Sequence, residues 1–182
     1  HSNFVPAGPD LAAKRDAIRE AVEQLISAFG IEYGMIHPEY FVTSDGKLNF
    51  GEVAARVPGG HIFELIQRAY GFDPFAGFAL CSDPATTEAE LEAFFPKEDA
   101  FTGYAGCLMV YPRGPRAAEL RLPPDLESDP YYERHNLFVP FSAKVSARVG
   151  FGNHYGTIYY FGDDATRMTD LLNRHEEFEF YV

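Results

Sequence analysis

An Asp-Gly pair, Asp45-Gly46, stands between two runs of strand-forming residues and constrains everything on either side of it. Asp-Gly accepts the positive φ angles of a tight two-residue turn and is the strongest short-range hairpin signal. With these two residues as the turn, the stretch from Ile31 to Arg56 folds back on itself. Counting outward then puts Glu39 directly opposite Glu52 on one face of the ribbon, with Cβ atoms about 4.5–5.5 Å apart. On the same count His37 lies opposite Ala54, and Arg56 follows about 6–7 Å beyond Ala54. Met35, Phe41 and Phe50 share that face. The other face carries Ile36, Val42 and Val53, with Tyr40 opposite Gly51. Pro38 cannot donate to a ladder, so its strand is an edge or is bulged there.

Two like charges facing each other across a ribbon destabilise it. Three arrangements relieve them. One carboxyl can hold a proton, a basic residue can bridge the pair, or a divalent cation can sit between, as Mg²⁺ does with carboxylate and nucleotide-phosphate oxygens. Two acids that simply splay into water are the plainer alternative. Val57-Pro58-Gly59-Gly60 follows at once and leads into a helix. Glycines before a helix N-terminus leave backbone N–H groups to face an anion, and Arg56 beside them adds a guanidinium suited to carboxylate or phosphoryl oxygens.

The remaining elements alternate between helix and strand signals. Apolar residues at helical spacing predict a helix from Asp10 to Phe29, stopped by Gly30. Helices are expected from His61 to Tyr70, from Pro74 to Cys81 after Asp73, and from Glu88 to Phe95 behind Thr86 and Thr87. Strands are expected at Tyr104–Tyr111, Ala117–Leu122, Leu137–Phe141, Lys144–Phe151 and Gly156–Phe161. The Pro-rich stretch 123–134 reads as a loop, Asp163 starts a helix to Arg174, and Phe178–Val182 closes as a strand. The expected class is α+β, an antiparallel sheet with helices. Residues 1–100 hold the hairpin and most helices, and residues 101–182 form a β-rich extension packed on them as one unit.

His37-Pro38-Glu39, Asp45-Gly46, Glu52-Val53-Ala54-Ala55-Arg56 and Gly59-Gly60 together resemble the end of the ATP-grasp ligase core. That pattern has a first acid on one strand, a hairpin, a second acid on the next strand, and an Arg four residues on. The Glu-x-Ala-Ala-Arg form is most similar to the L-amino-acid ligases and related carboxylate–amine ligases. Ala54 stands where many ATP-grasp enzymes have an Asn metal ligand, which leaves the metal fewer protein ligands. The strand Ile158–Phe161 and the Asp163–Arg174 helix resemble the family's C-terminal extension.

The resemblance implies that Glu39 and Glu52 hold Mg²⁺ (or Mn²⁺) against ATP. It implies that Arg56 contacts the substrate carboxylate or its acyl-phosphate, and that His37, Gly59 and Gly60 line the cofactor seat. The partners implied are ATP, a small carboxylate or amino-acid substrate, the preceding ATP-grasp region, and a second copy in a homodimer. The phosphate-holding lysines and flexible loop of such enzymes precede this region, and no Gly-rich loop lies upstream of the hairpin here. This chain by itself is therefore expected to bind ATP poorly and to turn nothing over. Alternatives are a biotin-carboxylase or carbamoyl-phosphate-synthase type relative, against which Ala54 argues, and a non-catalytic binding or assembly module.

The net charge of −12 and the lack of a Lys/Arg cluster argue against a nucleic-acid or anionic-membrane surface. No apolar run is long enough to span a bilayer. Cys81 and Cys107 stand alone in apolar settings, read as buried thiols, and fit a reducing cytoplasm. His61 reads as a capping or surface residue, His135, His154 and His175 as surface residues, and Tyr155, Tyr159 and Tyr160 as core and sheet surface.

Overall fold

All six residues of strand β4 (Tyr104–Met109) are buried, because the strand is covered on both faces. The computed structural model describes residues 2–4, 12–114, 116–139, 143–144 and 154–182. Within them β4 lies inside an antiparallel sheet of order β1-β4-β8-β6, with β1 at Ser2–Phe4, β6 at Tyr132–Leu137 and β8 at Gly156–Gly162. The register sets Cys107 against Tyr159 and Leu108 against Ile158.

Alternation along β4 sends small and large side chains to opposite faces. Ala105 and Cys107 point to one side, where they pack with Leu65 and Ala69 of helix α2 (Ile62–Tyr70) and with Tyr159. Tyr104, Leu108 and Val110 point to the other, against Met168, Leu171 and Leu172 of helix α5 (Ala165–Glu177). The result is three layers, helix on sheet on helix, and each fully buried Leu or Met contributes about 1.5–3 kcal/mol.

Several helix ends fall at the expected punctuation residues, but the start expected at Asp10 lies outside the described residues, and the last helix begins after Asp164 and runs past Arg174 to Glu177. Helix α1 spans Ala12–Phe29, and Gly30 takes a φ of 62° after it. Gly71, at φ 72°, ends α2 and donates its N–H to the Gln67 carbonyl. Asp73 caps α3 (Pro74–Ser82) by accepting from Phe75 and Ala76. Thr87 and Glu90 form a reciprocal capping box on α4 (Glu88–Phe94). Asp164 caps α5, whereas Asp163 accepts the Tyr131 hydroxyl at 2.6 Å.

Three expectations for the sheet need correction. The segment after the Pro112–Gly114 turn does not return along β4. Instead β5 (Arg116–Ala117) pairs with β7 (Ala143–Lys144), and Ala118 and Glu119 donate to the Val182 carbonyl. The expected strand Phe178–Val182 is reduced to an isolated bridge of Tyr181 with Leu120. Of the strand expected at 137–141, residues 140 and 141 lie outside the described residues, and the strand that is described there runs earlier, at Tyr132–Leu137, taking part of the predicted loop. Its polar Glu133, Arg134 and Asn136 hid it, and they are tolerated because β6 is an edge strand. Residues 145–151 of the strand expected from Lys144 lie outside the described residues.

His175 is also corrected. It is 1% exposed, held between α5 and β8 rather than on the surface. Cys107 is buried, and burial raises its thiol to about 12, which keeps it protonated. Cys81, expected to be buried, is only partly so, and that partial burial raises its thiol in the same direction.

Candidate functional site

The ribbon consists of β2 (His37–Val42) and β3 (Leu48–Ala54), a two-stranded sheet in which both strands are edges. Its tip is one residue wider than a two-residue turn. Thr43 donates its N–H to the Lys47 carbonyl, and Gly46 donates to Thr43 with Gly46 at φ 81°. This is a three-residue hairpin loop with glycine at the left-handed position. Asp45 pairs with Lys47 at 2.7 Å and accepts from the Thr43 hydroxyl, bonds that hold its carboxyl below the ordinary range.

From that tip the register runs Val42–Leu48, Phe41–Asn49, Tyr40–Phe50, and then shifts between Tyr40 and Glu39. Gly51 is the extra residue. Beyond it Glu39 pairs with Glu52, Pro38 with Val53 and His37 with Ala54. The acids thus face each other as expected, but through two offsets that cancel, a longer tip and a bulge. The bulge also moves residues between faces. Phe50 joins Tyr40, their rings edge to face with centroids 5.8 Å apart, and Asn49 joins Phe41. A Cβ at Gly51 would sit tightly against the Phe41 ring at 3.0 Å and the Glu39 carbonyl at 3.1 Å.

Glu39 and Glu52 are both exposed, and among the described residues no Lys or Arg pairs with either. His37, next to them, has a buried Nδ1 without a hydrogen-bond partner. Arg56 is exposed, and its Nη1 donates to the Val57 carbonyl at 3.0 Å. No group of three or more His, Cys, Asp or Glu residues gathers as a metal cage among the described residues. Two facing carboxylates with no competing cation match what Mg²⁺ asks of a protein, since it keeps several waters and takes one or two carboxylates plus phosphates.

Gly60 has φ 63° and begins the turn into α2. Its carbonyl accepts from the Asn3 side chain at 2.8 Å and lies 3.7 Å from the Cys107 thiol. Helix α2 has no side-chain cap. Its first residue outside the helix, His61, stands in the left-handed region at φ 62°, alone among the described non-glycine residues. The His61 ring places Nε2 at 3.1 Å from the Thr157 hydroxyl, and Nδ1 at 3.0 Å from the Tyr159 hydroxyl and 3.2 Å from Glu64. A surface reading of His61 misses this cluster, because Thr157 and Tyr159 lie nearly a hundred residues away and no local spacing announces them. The Arg134 guanidinium lies 3.6 Å over the Tyr159 ring, and Arg68, paired with Glu133 at 2.6 Å, lies 3.3 Å over Phe161.

This is the fold of the C-terminal part of an ATP-grasp enzyme. The L-amino acid ligase from Bacillus licheniformis superposes with a TM-score of 0.73 at 19% identity, over 95% of this chain and 41% of that one. Phosphoribosylglycinamide synthetase from Anaerococcus prevotii gives 0.67 at 16% identity, over 96% of this chain and 43% of that one. The biotin carboxylase domain of the Hydrogenobacter thermophilus 2-oxoglutarate carboxylase, a dimer complexed with MgADP, ADP and bicarbonate, gives 0.52 at 15%, over 96% and 37%. At these identities the likeness is one of fold, and this chain spans about two fifths of the length of these three structures. No protein-family model matches the sequence, and no curated protein matches it.

Proposed function

We propose that the chain supplies the metal-binding ribbon and substrate seat of an ATP-dependent carboxylate–amine ligase. The observation that carries this is the opposition of Glu39 and Glu52 without a bridging base, followed four residues on by Arg56 and then by the Gly59-Gly60 turn into α2. Glu39 and Glu52 would hold Mg²⁺, which when bound neutralises phosphate charge. Arg56 would bind the substrate carboxylate and steady charge on the transferring phosphoryl group. The carboxylate is activated as an acyl-phosphate, and an amine displaces the phosphate. His37, with its unpartnered Nδ1, would turn toward the cofactor from the first strand.

Further chain is part of this reading. Phe41, Val42 and Phe50 on the ribbon are at least half exposed, as are Phe29 and Tyr33 close to the end of α1. An apolar surface of this kind is what a preceding ATP-grasp region would cover. This chain alone would then bind ATP weakly and release no phosphate.

The test is ATP-dependent phosphate release by the full-length protein that contains this chain, assayed with a panel of amino acids and small carboxylates. Glu52→Ala should abolish release, and unchanged turnover would end the proposal. Bicarbonate-dependent release without an amine would favour a biotin-carboxylase type reaction instead. Full release by the 182-residue chain itself would overturn the requirement for a preceding region.

A further inference from the structure

His61 holds a strained backbone, and its ring contacts both the central sheet and Glu64 of its own helix. Nδ1 of the ring lies within hydrogen-bond distance of the Glu64 carboxylate and the Tyr159 hydroxyl, and Nε2 within hydrogen-bond distance of the Thr157 hydroxyl. Thr157 and Tyr159 are two apart on β8, are 3% and 8% exposed, and belong to one of the two inner strands of the sheet. Arg134 of β6 presses on Tyr159 from the paired position. One residue earlier, the Gly60 carbonyl is held by Asn3 of β1 and lies near Cys107 of β4. The Gly60–His61 joint is therefore fastened to every strand of the sheet, directly or through Tyr159. Among the described residues, the preceding segment from Arg56 to Gly59 makes no hydrogen bond to the sheet, since Arg56 reaches the Val57 carbonyl and Gly59 accepts from Ile62.

We infer that His61 is a positioning residue that fixes the Gly59–Gly60 turn, and with it the seat beside Arg56, so that the site takes the carboxylate substrate in one geometry. This rests on the ligase reading above. A left-handed His side by side with a left-handed Gly is a costly way to start a helix. The bonds to Thr157, Tyr159 and Glu64 offset that cost, and in this conformation the ring reaches β8. A loose joint would leave nucleotide contacts on the ribbon intact and blur the carboxylate seat.

The experiment compares His61→Ala, His61→Asn and Thr157→Val in the full-length protein with the wild type. Asn tolerates the left-handed conformation and keeps a donor and an acceptor near the ring positions. His61→Ala should raise KM for the carboxylate substrate by about tenfold or more while KM for ATP stays within about threefold, and His61→Asn should recover most of the loss. Thr157→Val should fall between them. Equal changes in both KM values and kcat, with no recovery by Asn, would overturn the inference in favour of a purely structural role.

Hydrogen exchange of the backbone amides at 59–62, read by mass spectrometry on the same proteins, gives the independent arm. Faster exchange confined to this joint in His61→Ala, restored in His61→Asn, supports the inference. Unchanged exchange overturns it. Should the protein release no phosphate with any substrate, the ligase reading fails, and the exchange measurement still decides whether His61 fastens the turn.

Discussion

The Tyr160 hydroxyl lies 2.8 Å from Nδ1 of His175, joining β8 to α5 across a contact that excludes water. The other ring nitrogen, Nε2, is buried without a hydrogen-bond partner, 3.8 Å from Asp125. Burial lowers the His175 pKa below its ordinary value, and Arg174 beside it acts in the same direction. Asp125 and Asp129 oppose the shift without reversing it. The imidazole is therefore neutral in the fold at pH 7. Because the folded pKa is the lower one, stability is fully present above the ordinary histidine value near 6.5. It is lost as pH falls from there through the folded value, since the unfolded chain takes up the proton first. Melting temperature should fall between pH 7 and pH 5, and His175→Gln should flatten that part of the curve. Tyr160→Phe leaves Nδ1 without its partner and should cost about 1–3 kcal/mol at pH 7, measured by denaturant titration.

Replacement of Gly156 by Ala should be among the most damaging single changes in the sheet. Gly156 opens β8 at φ 135°, and a Cβ there would run into the Asn136 carbonyl and the backbone of Leu137. Neither obstacle is the end of a flexible side chain, so the strand itself would have to move. A loss of about 3 kcal/mol or more is expected, read as a lower denaturation midpoint.

The Thr87–Glu90 capping box predicts a smaller, local effect. Thr87 accepts from the Glu90 N–H at 3.3 Å, and the Glu90 carboxylate takes the Thr87 N–H at 2.8 Å. The Thr87 N–H and the Thr87 hydroxyl, which both donate to that carboxylate, keep it below its ordinary range. Thr87→Ala should cost about 1 kcal/mol, visible as faster amide exchange in α4 with little change elsewhere.

Glu52→Gln tests the metal role proposed for the acid pair. Without metal it removes a like-charge contact with Glu39, so the melting temperature in chelator should stay level or rise. With Mg²⁺ and nucleotide added to the full-length protein, the wild type should gain thermal stability and Glu52→Gln should gain much less. An equal gain in both would remove the carboxylates from the metal site.

Helices α2, α3 and α4 were legible because their boundaries are written locally, in Gly71, in Asp73-Pro74 and in Thr87. Strands β4 and β8 were legible because strands covered on both faces read as continuous apolar runs. Strands β1 and β6 were not. The first has only three residues, and the second is polar because it is an edge, so neither carries a period of its own. In the ribbon the Asp-Gly signal found the hairpin and the facing acids, but not the wider tip or the bulge that compensates for it. A bulge is decided by how two strands twist together. The His61 cluster lay further out of reach, since Thr157 and Tyr159 meet it only once β8 has taken its place in the sheet.

Gly51 gives the ribbon a separation of duties. With that residue deleted, the ladder running from Val42–Leu48 would continue unbroken and would still bring Glu39 against Glu52. The partnership of the two acids therefore survives a change in length at this point. What the additional residue governs is the coil of the ribbon, and hence the direction in which the paired oxygens look. A lineage could re-aim the two carboxylates by gaining or losing one glycine, without touching either acid.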